Sequence, residues 1–195
     1  MFIVFEGLDG SGQSTQATML RDYLVSKGKQ VVLTKEQTDG IIGGFIKSSL
    51  KKEWQVSPLA LQLLFVADRA HHLDKEIKPS LDEGKIVICD RYIFSTLAFG
   101  GLNIDADFLK NINSKFLKPD ITFILDVPTE VCLERIHSSR VSHLELFEKK
   151  SKMDKVRRNY LSLKNFFPNV FVINGYRTKE EVFANIKDVV EHSTS

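Results

Sequence analysis

Five short runs of apolar residues, separated by longer stretches with apolar residues at every third or fourth position, constrain this sequence most strongly. The runs are rich in Val, Ile and Phe, as strands buried on both faces of a sheet are. They lie at Phe2–Phe5, Gln30–Leu33, Lys85–Cys89, Ile121–Leu125 and Val170–Ile173. Strands that alternate with helices pair in parallel through right-handed crossovers, which places helices on both faces of the sheet.

The stretches between the runs predict helices, the first of which begins soon after the first strand. They are Thr15–Ser26, Ile42–Leu50, Pro58–Glu83, Pro128–His137, Leu146–Leu163 and Lys179–Val190, with a shorter one within Asn103–Phe116. The fold class is therefore α/β, a three-layer, doubly wound parallel sheet of five strands in the order 2-3-1-4-5. No repeat or linker interrupts this pattern, so we expect a single domain over residues 1–195.

The overall charge of the chain does not indicate a nucleic-acid-binding protein. Lys and Arg number 27 and Asp and Glu 25, which gives a net charge of +2. The densest basic stretch, Lys149–Arg158, alternates with apolar residues as a solvated helix face does. We find no leader typical of secretion and no apolar run long enough to span a bilayer. We therefore expect a cytoplasmic protein with no nucleic-acid or membrane partner.

The cysteines and histidines do not form a metal-binding pattern. Cys89 and Cys132 are far apart in the sequence and predict buried thiols. His71 and His72 are adjacent, so their side chains diverge on a helix, and the other three histidines are isolated. We expect all five histidines to be surface or packing residues.

A glycine-rich segment follows the first predicted strand. Two glycines and a hydroxyl have the spacing of a phosphate-binding loop that opens a helix, and the segment consists of Gly7, Leu8, Asp9, Gly10, Ser11, Gly12, Gln13, Ser14 and Thr15. Backbone N–H groups in such a loop surround phosphate oxygens, and the helix dipole adds to the attraction. The pattern predicts that these nine residues bind ATP and that Ser14 binds Mg²⁺. An ordinary strand-to-helix turn is the alternative.

Gln13 stands where a phosphate-binding loop normally has lysine. A charge pair at ~4 Å and an effective dielectric of ~20 contributes about 4 kcal/mol, whereas a neutral hydrogen bond contributes about 1 kcal/mol. Other cations must therefore compensate, or turnover must be slow. Asp9 in the same loop is a turn residue or faces the transferring phosphoryl group.

Three segments together resemble the thymidylate kinase family. They are FEGLDGSG at Phe5–Gly12, LFVADRA at Leu64–Ala70 and VICDRY at Val87–Tyr92, and the similarity continues in order over nearly the whole chain. The resemblance implies a phosphoryl transfer from ATP to thymidylate (dTMP) with Mg²⁺, and a homodimer. It also implies that Asn174–Arg177 contributes backbone to the adenine site, although this segment is equally consistent with a simple turn.

The second and third of these segments contain candidate acceptor residues. Phe65 and Arg69 are four residues apart and share a helix face, where the ring could stack on a base and the guanidinium could bind the acceptor phosphate. A core Phe beside a surface Arg is the alternative. Asp90 and Arg91 follow the third strand, where Asp90 could hold Mg²⁺ through water and Arg91 could bind the acceptor phosphate. Their alternative is a salt-bridged loop pair.

The resemblance also implies acceptor roles for Glu36, Thr96 and Phe99. The family commonly has Tyr followed by Gln where this chain has Phe99 and Gly100, so a hydroxyl near the sugar or base is missing. The loop at Thr34–Gln37 lacks the usual Pro after Glu. These departures leave open another acceptor, such as dUMP.

A polar segment at about residues 136–149 follows the fourth strand and its helix, where nucleotide kinases have a lid. Arg135, just before this segment, is a candidate ATP-binding residue. Arg135 and Arg140, which lies within the segment, are both candidates for stabilising transition-state charge, because Gln13 leaves a deficit of positive charge.

The function predicted from the sequence is a thymidylate kinase with Asp9, Gln13, Arg91 and Arg140 as its catalytic residues. Two alternatives remain open at this point. One is a nucleotide-binding protein that has lost catalysis, which Gln13 favours. The other is a kinase for a different nucleoside monophosphate, which Phe99 and Gly100 favour.

Overall fold

The strands form a five-stranded parallel sheet in a computed structural model that describes residues 1–136, 143–165 and 167–193. They are β1 (Phe2–Gly7), β2 (Val31–Lys35), β3 (Ile86–Asp90), β4 (Ile121–Asp126) and β5 (Val170–Asn174). The order across the sheet is β2-β3-β1-β4-β5, and every neighbouring pair is parallel. The predicted fold class and strand order are confirmed, and each strand runs one or two residues beyond the predicted carboxyl end.

The helices follow the strands in the expected alternation. They are α1 (Gln13–Ser26), α2 (Ile41–Leu50), α3 (Pro58–His72), α4 (Lys78–Asp82), α5 (Ile93–Ser95), α6 (Ala106–Asn113), α7 (Thr129–Ile136), α8 (His143–Leu163) and α9 (Lys179–Ser193). A π-helical turn at Leu73–Ile77 joins α3 to α4, so the long helix predicted there is interrupted in its hydrogen-bond pattern. Its start agrees with the prediction, since Ser57 Oγ accepts a hydrogen bond from Ala60 N at 3.1 Å.

The segment after β3 is helical, which the sequence analysis did not predict. Short helix α5 leads directly into a second π-helical turn at Thr96–Gly100. Phe94 and Leu97 in this segment are buried against the sheet. Eight residues are too few for a helical periodicity to be distinguished from a loop, and tertiary packing stabilises the helix.

The two faces of the sheet bury separate apolar cores. Along β1, Phe2 and Val4 pack towards the π-helical turn at Leu73–Ile77, α6 and α8. Ile3 and Phe5 pack on the opposite face against α1 and α9. Each fully buried side chain of this size contributes about 1.5–3 kcal/mol. Because all five strands are parallel, their carboxyl ends lie at the same edge of the sheet. None of the helices in the described ranges is long and apolar enough to cross a membrane.

Candidate active site

The carboxyl edge of the sheet brings the predicted site residues together. In the parallel register, Asp90 of β3 pairs with Phe5 of β1 and with Lys35 of β2. Residues just beyond the ends of these strands therefore face the same cavity. That cavity has a volume of about 370 Å³ and is lined by Asp9, Gly10, Gly12, Gln13, Ser14, Thr15, Lys35, Glu36, Asp90 and Arg91.

The glycine-rich segment forms a compact loop between β1 and α1. Ser11 N donates to Leu8 O at 3.0 Å, and helix α1 begins directly after the loop. Gly10 has φ of 81°, and a Cβ atom there would lie 2.6 Å from the carbonyl oxygen of Cys132 on α7. Only glycine fits this position, because the backbone of the loop and of α7 approach too closely for a side chain.

Gln13 folds into the loop rather than out of it. The side chain is only 5% exposed, and its Oε1 accepts a hydrogen bond from Ser11 Oγ at 3.4 Å. A lysine ammonium group cannot accept such a bond, since it has only donors. The amide therefore closes the loop on itself and adds no net charge to it.

Ser14 and Asp90 meet at the base of the cavity. The Ser14 hydroxyl donates to Asp90 Oδ2. The other carboxylate oxygen, Oδ1, is buried and has no hydrogen-bond partner among the described residues. A hydroxyl and a carboxylate with a spare oxygen form the kind of ligand set that a hard divalent cation prefers.

Asp9 and Arg91 form an ion pair at the mouth of the loop, with 2.6 Å between Oδ1 and Nη2. Arg91 Nη1 also donates to the carbonyl oxygen of Gly7 at 3.1 Å. The backbone of Arg91 has φ of 73°, a left-handed conformation that costs a non-glycine residue on the order of 1–3 kcal/mol. The partner of Arg91 in its ion pair is thus Asp9, and the sequence-adjacent Asp90 points to Ser14 instead.

Glu36 and Arg69 form a buried ion pair below the cavity. Arg69 is 1% exposed, so the alternative of a surface arginine is wrong. Its Nε and Nη2 donate to Glu36 Oε2 at 2.9 and 2.6 Å. Nη1 donates to Asn113, and Nη2 also donates to Tyr92 O at 2.8 Å. Most of the donors of Arg69 are therefore occupied within the protein.

Thr96 and Phe99 lie on the second π-helical turn, next to Arg69 and Arg91. Thr96 Oγ1 accepts a hydrogen bond from Arg69 Nη2 at 3.2 Å. The Phe99 ring lies 5.6 Å from the Arg91 guanidinium carbon, within the range of a cation–π contact. Phe65 lies on α3 and is partly exposed. Thr96 and Phe99 therefore line the region around Arg69 and Arg91.

The residue after Phe99 is Gly100, and a side chain of α3 occupies the space beside it. A Cβ atom on Gly100 would lie 2.9 Å from Cδ of Gln62. Gln62 is buried, and its Oε1 has no hydrogen-bond partner among the described residues. The Gln62 side chain therefore lies directly against the backbone of Gly100.

A second cavity, of about 260 Å³, lies on the other side of the loop. Arg135 lines it and donates from Nη1 to Gly10 O at 3.2 Å. Gly175 and Arg177 of the segment after β5 line the same cavity.

Arg140 lies outside the described residues, as does the part of the predicted lid at 137–142.

Three buried polar residues next to the site were not predicted to have a role. Glu6 on β1 accepts hydrogen bonds from Tyr92 N and Ser95 Oγ at 2.8 and 2.6 Å. Burial raises its pKa above the ordinary value, more than hydrogen bonds from Ser95 and the charge of Arg91 lower it. The sequence could have indicated a role for Glu6, because an acidic residue inside an apolar strand is unusual.

The second residue is Tyr160 on α8, and no feature of the sequence indicated its role.

The third residue is His72 on α3. Its Nε2 lies 2.8 Å from Thr34 Oγ1, and its Nδ1 lies 3.5 Å from Glu36 Oε1. It is a packing residue, as expected, but it also contacts the carboxylate that holds Arg69. The sequence could have indicated this contact, because His72 lies three residues after Arg69 and therefore on the same helix face.

A phosphate-binding loop whose hydroxyl contacts an acidic residue on the adjacent strand, in a parallel sheet of order 2-3-1-4-5, defines a phosphate-loop kinase. Comparisons with known proteins agree. The profile of the family described as "Thymidylate kinase" matches residues 5–186. A "Probable thymidylate kinase" of Thermococcus kodakarensis is 42% identical over 98% of this chain and 97% of its own length.

Two further comparisons give the same result. A "Thymidylate kinase" of Thermosipho africanus is 38% identical, with 98% of each chain covered. The crystal structure of thymidylate kinase from Ehrlichia chaffeensis superposes with a TM-score of 0.77 at 33% identity, over 98% of both chains. The chain belongs to the thymidylate kinase family, whose members are ATP-dependent nucleoside monophosphate kinases.

Proposed function

We propose that this protein transfers the γ-phosphoryl group of Mg-ATP to dTMP, giving dTDP and ADP for the synthesis of dTTP. The observation that carries the proposal is the placement of two residue pairs around one cavity, Ser14 with Asp90 and Asp9 with Arg91. The first pair suits the donor phosphates and their cation, and the second suits the acceptor phosphate. Family membership supports dTMP as the acceptor.

Ser14 and Asp90 would hold the magnesium ion. The spare Oδ1 of Asp90 can accept a hydrogen bond from a water bound to the ion, and the Ser14 oxygen can bind the ion directly. When bound, the ion would neutralise charge that develops on the β- and γ-phosphates. The oxygen donors present fit this ion.

The donor phosphates would lie against the backbone N–H groups of the loop Gly7–Thr15 and the first turn of α1. Gln13 would contribute only a dipole. Arg135, which contacts the loop carbonyl of Gly10, would bind ATP from the neighbouring cavity. Arg140 would supply positive charge during transfer, which compensates for the missing lysine.

The acceptor would lie on the opposite side of the loop, with its phosphate on Arg91. Phe65 offers a ring for stacking on the base, and Arg69, held by Glu36, would line the region below the acceptor phosphate. Glu36 lines the cavity and is held by Arg69. Thr96 and Phe99 complete the wall of this region.

The protein acts on this reaction through position and charge. An oxygen of the dTMP phosphate attacks the γ-phosphorus in line, and the bond to the bridging β–γ oxygen breaks, leaving ADP. The attacking oxygen is already anionic near neutral pH, so no side chain has to remove a proton. Arg91 holds the acceptor phosphate, and Asp9 keeps the guanidinium oriented through its ion pair.

We further propose that the protein is a homodimer in the cytoplasm, built from one kinase domain over residues 1–195 with a lid at about 136–149. Large apolar side chains that are more than 40% exposed occur together on α2, α3 and their connection, and they would be covered by a second copy. They are Ile41, Phe45, Leu50, Trp54, Leu59 and Leu63. Sedimentation at several protein concentrations, with Phe45→Glu as the variant, tests this proposal.

An acceptor panel of dTMP, dUMP, dCMP and UMP with Mg-ATP tests the proposed reaction. We expect ADP formation with dTMP at a higher kcat/KM than with the other three. A preference for dUMP would favour the alternative suggested by Phe99 and Gly100. Binding of both ATP and dTMP without ADP formation would favour the non-catalytic alternative suggested by Gln13.

A further inference from the structure

The hydroxyl of Tyr160 lies among three polar groups behind the acceptor site. It is 2.9 Å from Ser95 Oγ, 3.2 Å from Glu6 Oε2 and 3.4 Å from Arg91 Nη1. The Tyr160 side chain is 1% exposed. A buried hydroxyl with this set of partners can donate to the carboxylate and accept from the guanidinium.

These contacts act on a backbone that needs support. Arg91 has a left-handed conformation, and the chain turns there from β3 into α5. Glu6 stabilises the turn from below, since its carboxylate accepts from Tyr92 N at 2.8 Å, Ser95 N at 3.2 Å and Ser95 Oγ at 2.6 Å. Among the described residues, Tyr160 is a further donor to this carboxylate. Because it also contacts Nη1, it restrains both the turn and the side chain of Arg91.

The helix that carries Tyr160 is itself fixed to the sheet. Arg157 makes two hydrogen bonds to the carboxylate of Asp126 at the end of β4, at 2.6 and 3.1 Å. Asn159 Nδ2 donates to Ala98 O at 2.9 Å. The carboxyl-terminal part of α8 therefore holds the Tyr160 hydroxyl at a defined place relative to the strand ends.

We propose that Tyr160 is a positioning residue for Arg91, and that its hydroxyl holds the guanidinium in the orientation that receives the acceptor phosphate. The inference rests on the proposed function for the role of Arg91. Burial raises the pKa of Tyr160 well above its ordinary value, so the hydroxyl keeps its proton at neutral pH.

Tyr160→Phe removes only the hydroxyl and tests the proposal. Tyr23→Phe is a matched control, because the Tyr23 hydroxyl also donates to a carboxylate, that of Glu191, but joins α1 to α9 away from the site. We expect Tyr160→Phe to raise KM for dTMP about tenfold while KM for ATP stays within about twofold, and Tyr23→Phe to change neither. An unchanged KM for dTMP, or equal increases for both substrates, would overturn the proposal.

A second measurement separates this inference from the proposed function. The Nε–Hε signal of Arg91 in ¹⁵N-labelled protein, assigned by its loss in Arg91→Lys, reports the order of the side chain without turnover. We expect it to broaden or shift in Tyr160→Phe and to stay unchanged in Tyr23→Phe; no change in Tyr160→Phe would overturn the inference. If the wild-type protein does not phosphorylate dTMP, the proposed function fails and this signal still decides the role of Tyr160.

Ser95→Ala serves if Tyr160→Phe does not fold. Ser95 Oγ is the other hydroxyl that contacts Arg91 Nη1, at 3.2 Å. The same increase in KM for dTMP and the same change in the Arg91 signal are expected. Ser95 Oγ also lies 2.9 Å from the Tyr160 hydroxyl, so Ser95→Ala removes a contact that fixes this hydroxyl. A folded Ser95→Ala protein with unchanged values in both measurements would contradict the proposal that these linked hydroxyls hold Arg91.

Discussion

Arg69 donates two hydrogen bonds to a single oxygen of Glu36, from Nε at 2.9 Å and from Nη2 at 2.6 Å, and both side chains are almost fully buried. The pair joins α3 to the loop after β2. The preceding residue, Asp68, holds the same loop, since its carboxylate accepts from Thr38 N at 2.8 Å and from Thr38 Oγ1 at 2.7 Å. Two adjacent residues of α3 therefore fix the wall of the acceptor region.

Glu36→Gln should destabilise the protein strongly. It leaves the buried Arg69 charge without its anion, which typically costs about 3–5 kcal/mol in free energy of unfolding. Equilibrium denaturation with urea measures the change. Asp74→Asn is the control, because Asp74 pairs with Lys78 at 2.7 Å on the surface, where solvent screens the interaction. Similar midpoints for the two variants would show that the Glu36–Arg69 pair is not important for stability.

Gly43→Ala and Gly44→Ala should act in opposite directions although they are neighbours on α2. A Cβ atom on Gly43 would lie 2.0 Å from the carbonyl oxygen of Thr38, so the loop that carries Glu36 would have to move. A Cβ atom on Gly44 has no atom within 4 Å, and alanine favours a helix over glycine by about 1 kcal/mol. We expect a lower melting temperature and a higher KM for dTMP only in Gly43→Ala. Equal melting temperatures would contradict the close contact.

The raised pKa of Glu6 predicts a pH dependence of stability. Above its ordinary value of 4.5, the unfolded chain has released the proton that the folded protein still binds, so the contribution of Glu6 to stability falls as pH rises towards the folded pKa. Glu6→Gln removes this dependence. The wild-type protein should therefore lose stability relative to Glu6→Gln as the pH is raised from about 4.5, as measured by urea denaturation at several pH values.

Ser95→Ala should raise the pKa of Glu6 further, whereas Glu6→Gln removes the titrating group. The hydrogen bond from Ser95 is the largest influence that lowers the pKa of Glu6 against burial. Without it, the pKa should rise further and the loss of stability should extend to higher pH than in the wild-type protein. A pH profile identical to that of the wild type would show that Glu6 does not titrate in this range.

Gln13→Lys should increase kcat. A lysine charge would interact with the donor phosphates by about 4 kcal/mol at ~4 Å and an effective dielectric of ~20, against about 1 kcal/mol for the amide, so a gain of about tenfold or more is expected. Gln13→Met is the control, because it has a similar length without charge or hydrogen bonds. Turnover of both variants below that of the wild-type protein would mean that the loop depends on the contact between Gln13 and Ser11.

Arg140→Ala should reduce kcat far more than Lys149→Ala if a lid arginine compensates for Gln13. Both substitutions remove one positive charge from the lid or its immediate neighbourhood, so long-range attraction of nucleotides should change equally. The reduction for Arg140 should be about 10³-fold or more, as for other arginines that stabilise transferring phosphoryl groups. Equal effects in steady-state assays at saturating ATP and dTMP would exclude this role.

The sequence by itself determined the class of the fold and the location of the phosphate loop. Strand order and parallel pairing followed from the alternation of apolar runs and helices, because right-handed crossovers leave few topologies. The loop at Gly7–Thr15 was recognisable since its chemistry is local, with spacing along one segment. Asp90 and Arg91 were also predicted to lie at the ligand edge, because residues at the carboxyl end of a parallel strand face that edge.

Only the tertiary structure decided which side chains are partners. Arg91 pairs with Asp9, 82 residues away, rather than with the adjacent Asp90. Arg69 is buried on Glu36, and Tyr160 reaches Glu6 across 154 residues of sequence. Such pairings depend on which strand ends and helices become neighbours after folding, and single-residue patterns carry no information about distances between remote segments. The physical reason is that hydrogen bonds and charge contacts act over a few ångströms in space, whereas sequence periodicity records only burial and local conformation.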